Sequence, residues 1–462
     1  MLHLYTIDRK RMNVLRCVHV TKFSMAQFVI KGGKKLKGEV EIGGAKNAIL
    51  KILPASILID GHVLIDNVPD IEDVKRMSEI LAAMGASVES RGPKKLRVDA
   101  RAVNTFHIPP EPAKRLRSSI MFTGPLLARF GKVTFPHPGG CVIGQRPIDA
   151  FIGGFEALGA TVKTDLTDKY PRYIIEGKKL RGAEYVFKNM SVTGTECLMM
   201  TAVLVPGKTI LRNCAMEPEI PALADFLSSC GAKIRGAGTH TIEIEGVKVL
   251  HGGSISVMPD RIDAGSFAIL AAATRSPLRI RHIVPEHISS IILTLRMMGV
   301  FVDIGRDFID VRAPKVLKAV DIKTHEYPGF PTDLQAPFAV LASTAGGQSL
   351  IHETIYEARL FYIESLNRMG ARITMCDPHR ILIHGPSKLY GRDMESPDLR
   401  AGLAFVIAAL VADGTSVIND IYSIERGYEK IGERLRAIGA GITRIPESVP
   451  LKMERKKTSA KK

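Results

Sequence analysis

The segment FPHPGGCVIGQRPID, residues 135–149, sets a thiol, Cys141, and a guanidinium, Arg146, five residues apart. It is too rich in Pro and Gly for regular structure and reads as a loop. A thiol titrates near pH ~8.5, and neighbouring cations change its thiolate fraction and reactivity. From the loop alone, Cys141 reads equally as a reactive group and as an inert small hydrophobe. A second set of candidates recurs in GGAKNA (43–48), RLRSSI (115–120), SVTGTE (191–196), RIDAGS (261–266), PTDLQA (331–336) and PDLRAG (397–402). Each opens an apolar segment. Ser, Thr and Asp there cap the unpaired N–H groups of a helix start. Capping does not account for Lys46, Arg117 or Arg400, because a cation opposes the helix dipole at that end. A basic side chain and the helix N–H groups can act together on one phosphate or carboxylate, so these positions predict an anion site. The stretch GPLLARFGK lacks the spacing of a phosphate loop.

The elements that must position these residues come from an internal repeat. A helix-like segment ending in hydrophobic-Gly-Ala (or Val) recurs at Gly85, Gly159, Gly231, Gly299, Gly370 and Gly439, with spacings of 74, 72, 68, 71 and 69 residues. Glycine after the last turn fits the left-handed position that closes a helix. A second series interleaves with it: AILKILPASILIDGHVLI, IMFTGPLLARFGKVTF, LMMTAVLVPGKTIL, FAILAAATRSPLRI, FAVLASTAGGQSLI and FVIAALVADGTSVI. Each reads as a helix apolar nearly all round, a small-residue turn and a strand. A helix of that kind is buried. DVKRMSEILAAMGA and IGERLRAIGA are amphipathic and should lie outside. Six copies in 462 residues, divided near residues 257–267, predict two α/β domains of three repeats, with sheets wrapped around buried helices.

Composition narrows the class. Hydrophobic residues make up 45% and charged residues 24%, as in a globular protein, and the longest apolar stretch is too short to span a bilayer. The formal charge of +17 is concentrated at the ends: residues 1–24 carry a net +4 and residues 451–462 a net +5. With no recognition motif beside them, these ends predict solvated tails and no nucleic-acid partner. Residues 1–24 lack the apolar block of a signal peptide and read as a short disordered arm or as sequence upstream of a start at Met25. The six scattered cysteines show no metal-ligand spacing, so no metal is expected. They read as reduced cytoplasmic thiols, with Cys17, Cys197, Cys214, Cys230 and Cys376 expected to be small buried hydrophobes.

Taken together, GGAKNA, PGGCVIGQRPID, SVTGTE, EPEI (217–220), PDRI (259–262), FPTDLQA, YEARL, PDLRA and ERGYEKI resemble the enolpyruvyl transferases that act on UDP-N-acetylglucosamine, over nearly all of residues 25–445. The resemblance implies two inside-out α/β barrel domains, one of residues 25–45 plus 260–450 and one of residues 46–259, flanked by the extension 1–24 and the basic tail 451–462. It implies that the sugar 3′-hydroxyl adds to C2 of phosphoenolpyruvate, C3 takes a proton, and phosphate leaves a tetrahedral intermediate. This would be the first committed step of peptidoglycan precursor synthesis, with no cofactor. Cys141 would be the proton donor and the target of fosfomycin, and Asp333 the base, with Lys46 and Arg426 also catalytic. Lys46, Asn47, Arg146, Arg359, Arg400 and Arg426 would hold phosphoenolpyruvate. Arg117, Arg146, Pro147, Ile148, Asp149, Ala150, Ser191, Val192, Asp333 and Ile355 would contact the nucleotide sugar. Ala150, Phe151, Asn189 and Cys197 depart from the family pattern at the acceptor side. The alternatives are a transferase using another acceptor, such as shikimate 3-phosphate, and a non-catalytic paralogue. The shikimate enzyme lacks the PGGC loop.

Overall fold

The structure is a computed structural model that describes residues 26–139, 146–165 and 171–446. Cys17, Cys141 and both basic ends therefore lie outside the described residues. The inner helices follow from their composition. Lys46–Ala55, Thr123–Phe130, Val192–Ala202, Arg261–Ala273, Gln335–Ser343 and Leu399–Val411 are buried along most of their length. With apolar residues on every face, such helices gain most by being covered all round. Glu72–Ala83, by contrast, buries Val74, Met77, Ile80 and Leu81 on one face, the spacing of an outer helix. All six repeat glycines adopt positive φ, between 88° and 108°, closing the outer helices as their sequence position predicts.

Among the described residues six sheets surround the inner helices, five of four strands and one of three. Their topology repeats. The strand that follows each inner helix takes a parallel partner on one side and an antiparallel pair on the other. Thr415–Asn419, for example, runs parallel to Asp393–Glu395 and antiparallel to Gln27–Lys31, which pairs in turn with Gly441–Ile445. In the three-stranded sheet the parallel partner shrinks to one bridge between His107 and Thr134.

The buried apolar residues form two separate cores. One runs from Ala45 to Val257; the other joins Phe28–Ile42 to Ile262–Ile442. The chain crosses between them at residues 43–45 and again at 257–260, and the crossings lie side by side. The Ala45 N–H donates to the Met258 carbonyl at 2.7 Å, and the Asp260 N–H donates to the Gly43 carbonyl at 3.0 Å. Gly44 is required at this point, since a Cβ there would sit 1.9 Å from the Asn67 carbonyl oxygen. One thiol departs from expectation. Cys197, Cys214 and Cys230 are buried, but Cys376 is exposed. It belongs to the edge strand Ile373–Asp377, where Thr374, Met375 and Cys376 are all exposed and the pairing register shifts between Met375 and Asp377, leaving Cys376 out of the ladder.

Candidate active site

The starts of several inner helices meet between the two cores. Helix Lys46–Ala55 has no side-chain cap from Ala45, the residue before it. The Lys46 N–H donates instead to Asp260 Oδ2 at 3.1 Å, while Asp260 Oδ1 accepts from the N–H groups of Ile262 and Asp263 at 2.8 and 3.0 Å. One carboxylate therefore caps an inner helix of each core. The Lys46 ammonium lies 2.7 Å from Asp73 Oδ2, and Arg426 Nε donates to Asp73 Oδ1 at 2.8 Å. Burial, reinforced by Arg400 and Arg426, pulls Lys46 below the usual lysine range against the opposing pull of Asp73. Burial would raise Asp73, but Lys46 and Arg426 outweigh it and leave the carboxyl below its ordinary value.

Asp333 occupies the 3-10 turn Thr332–Leu334, which leads into helix Gln335–Ser343. Its Oδ1 pairs with Arg359 Nη2 at 2.8 Å, and its Oδ2 with Arg400 Nη2 at 2.8 Å and Nε at 3.0 Å. Arg359 and Arg400 are each 5% exposed and the Asp333 side chain 25%, so solvent reaches the pairs only from the carboxylate side. Burial pushes the Asp333 carboxyl up, yet Arg400, Arg359 and the field of Arg261 overcome it and hold Asp333 well below the carboxylate range. Arg400 lies over the Tyr428 ring, at 5.2 Å from its centroid, and its charge also acts on Lys46. The Lys46–Asp73–Arg426 and Asp333–Arg359–Arg400 groups are thus parts of one cluster. A carboxylate held ionised among cations can accept a proton once those cations turn to another anion, and the cations suit a small, multiply charged reactant.

Of the residues predicted for the nucleotide sugar, Arg117 and Arg146 connect to this cluster through Tyr356. Arg117 opens the 3-10 turn Arg117–Phe122 and donates through Nη2 to the Arg146 carbonyl. The Arg146 guanidinium lies 5.5 Å from the Tyr356 ring centroid, and Arg359 lies 5.3 Å from the same ring. Tyr356 therefore links Arg146 to the ion-pair cluster, and the neighbouring Ile355 N–H donates to Glu353 Oε1. Pro147 is exposed, Ile148 is buried, and Asp149 and Ala150 begin helix Asp149–Ala157. The Ala150 carbonyl accepts from the Tyr185 hydroxyl at 3.3 Å. Ser191 caps the helix that starts at Val192 by accepting from the Gly194 N–H. The Asn47 carbonyl accepts from Lys51 Nζ at 2.6 Å.

Sequence reasoning missed several polar residues. Asp73 reads as a dipole-favoured acid in the first turn of an outer helix, and nothing in its local pattern tells it from Glu72 beside it. Asp260 lies in the PDRI motif, but its double cap requires the second chain crossing. Lys51 lies inside an apolar segment and Glu196 ends the polar helix start SVTGTE, and nothing local pairs them, yet they meet at 3.2 Å. Glu196 Oε1 lacks a hydrogen-bond partner among the described residues, and burial pushes the carboxyl up to about 8 against the opposing pull of Lys51. The EPEI and PDRI motifs do meet, with Arg261 Nε 3.1 Å from Glu219 Oε1.

Among solved structures, the chain is similar in fold to the enolpyruvyl transferase NikO from Streptomyces tendae, with a TM-score of 0.82 and 24% identity over 91% of this chain and 99% of that one. It is also similar to EPSP synthase from Acinetobacter baumannii, with a TM-score of 0.69 and 19% identity over 91% and 100% of the two chains. A family profile described as EPSP synthase (3-phosphoshikimate 1-carboxyvinyltransferase) matches residues 30–435. The fold is that of the enolpyruvyl transferases. Full-length sequence relatives narrow this. A UDP-N-acetylglucosamine 1-carboxyvinyltransferase 3 of Caldanaerobacter subterraneus subsp. tengcongensis is 47% identical over 423 residues, covering 92% of this chain and 100% of the relative. The Coxiella burnetii UDP-N-acetylglucosamine 1-carboxyvinyltransferase is 43% identical over 426 residues, covering 92% and 97%. The chain belongs to the UDP-N-acetylglucosamine 1-carboxyvinyltransferase family of enzymes. No helix among the described residues is long and apolar enough to cross a membrane.

Proposed function

We propose that this enzyme transfers the enolpyruvyl group of phosphoenolpyruvate to the 3′-hydroxyl of UDP-N-acetylglucosamine, releasing phosphate and supplying a peptidoglycan precursor. The observation that carries the reading is Asp333, held ionised between Arg359 and Arg400 in a cluster that also contains Lys46 and Arg426. In this scheme Lys46, Asn47, Arg146 and the three arginines of the second core hold the donor's phosphate and carboxylate. As the donor engages Arg359 and Arg400, Asp333 gains the basicity to take the proton from the sugar hydroxyl. The hydroxyl oxygen bonds to C2 and C3 gains a proton; the C2–O bond to phosphate then breaks and C3 gives up a proton. Cys141, assigned as the C3 proton donor from sequence resemblance, lies outside the described residues. Arg117, Arg146 to Ala150, Ser191, Val192 and Ile355 are assigned to the nucleotide sugar. The two cores are proposed as the two domains, residues 25–45 plus 260–450 and residues 46–259, acting in the cytoplasm.

A two-substrate assay tests the reading. Phosphate release should require both phosphoenolpyruvate and UDP-N-acetylglucosamine. Turnover with shikimate 3-phosphate but none with the UDP-sugar would overturn the acceptor assignment.

A further inference from the structure

We propose that Asp73 is a positioning residue of this reaction, which keeps Lys46 charged and in place and ties it to Arg426 of the other core. The inference rests on the reading of Lys46 as a phosphoenolpyruvate ligand. Asp73 comes from the outer helix Glu72–Ala83 and is 2% exposed, with Lys46 2.7 Å from one oxygen and Arg426 2.8 Å from the other. A helix start favours an acid, but that role is already filled by Glu72, which points outward to Lys75 at 3.2 Å. Asp73 points inward, to the cations of the cleft.

Several charged groups face Lys46. Asp73 comes from the outer helix, Arg400 from the inner helix Leu399–Val411, and Arg426 from the end of the short helix Tyr422–Glu425. Asp260, the carboxylate at the start of the lysine's own helix, accepts from three backbone N–H groups and leaves the ammonium to Asp73. Without Asp73, Lys46 would be an ammonium 9% exposed to water and confronted by two guanidiniums. Desolvation and like charge both favour its neutral form. A neutral lysine gives the donor phosphate no charge and lacks the ion pair that fixes its direction. Asp73 differs from Asp333 in being deeply buried, so an incoming anion shares Lys46 with it and does not displace it.

The test is the pH dependence of the phosphoenolpyruvate KM in Asp73→Asn, taken as a ratio to wild type so that ionisation of the donor itself cancels. The ratio should stay within a few-fold near pH 6 and climb by about tenfold per pH unit once Lys46 loses its proton. Asp73→Glu should flatten the ratio again. Asp73→Ser is measured in parallel, so that the result does not depend on one variant folding. For any folded variant too slow to assay, calorimetric titration with phosphoenolpyruvate gives the same comparison. A ratio independent of pH, whatever its size, would overturn the assignment, because a purely structural role moves KM without adding a titration. Wild-type turnover is the separate control: its failure sinks the functional reading, whereas a flat ratio with wild-type turnover intact sinks only the role of Asp73.

Discussion

Replacing Asp333 by Asn should slow turnover by orders of magnitude and at the same time tighten the binding of phosphoenolpyruvate. Asp333 pairs with Arg359 at 2.8 Å and with Arg400 at 2.8 and 3.0 Å. Hydrogen bonds to charged groups contribute about 1.5–3 kcal/mol. The Asp333 side chain is 25% exposed, so solvent screening places the value at the low end. Asparagine is neutral and keeps one acceptor oxygen, so one arginine retains only an uncharged acceptor and the other is left facing an amide NH₂ group. A donor that takes over this guanidinium no longer displaces a bond of about 1.5 kcal/mol, and its dissociation constant should fall about tenfold. Loss of the base should lower kcat by about 10²–10⁴-fold. Calorimetric titration with phosphoenolpyruvate and the phosphate-release assay read the two effects separately. Donor binding that is unchanged or weaker in Asp333→Asn would refute the idea that donor and base compete for the same arginines.

Three further outcomes concern stability. Burial raises Glu196 from 4.5 to about 8, so ionisation in the unfolded state draws stability away as pH rises between these values. Glu196→Gln should therefore match wild type in melting temperature below about pH 4.5, gain an advantage above it and level off near pH 8; a constant difference would contradict the assignment. Gly124 packs against the helix Val192–Ala202, where a Cβ would lie 2.5 Å from Thr201 Oγ1 and 2.6 Å from the Cys197 carbonyl. Gly124→Ala should lose about 1–3 kcal/mol in urea unfolding through overpacking. Asp260→Ala removes the caps of two helices at once and should lose about 1–2 kcal/mol per cap, checked in the same unfolding experiment.

The parts of the fold legible in the sequence were those governed by local rules. Apolar composition on every face identified the inner helices, and the repeat glycines marked where outer helices end, because each signal lies within one turn of chain. The cations at helix starts also announced themselves, since Lys46 and Arg400 stand where the helix dipole disfavours them. What balances those cations was not legible. Asp73 is 27 residues beyond Lys46 and 353 before Arg426, and only the meeting of the two cores gives it both partners. Lys51 and Glu196 illustrate the same failure: one is a single charge inside an apolar run, the other ends a polar helix start, and the pair exists only where two inner helices touch. Cys376 departs from expectation because composition says a thiol is small and apolar but does not reveal that it falls at a register shift in an edge strand.

The side-by-side chain crossings also set an order of assembly. The strand Gln27–Lys31 is among the first parts of the described chain to be synthesised, yet both its partners, Thr415–Asn419 and Gly441–Ile445, are among the last. Gly38–Glu41 likewise waits for Leu278–Arg281. The core spanning Ala45 to Val257 has all its strands and helices in hand before either pairing is possible. A ribosome therefore delivers one core complete while the leading strands are still unpaired, exposing edges open to wrong partners until translation ends. The gathering of cations proposed to bind the substrates comes last of all, since Arg400 and Arg426 lie in the closing segment.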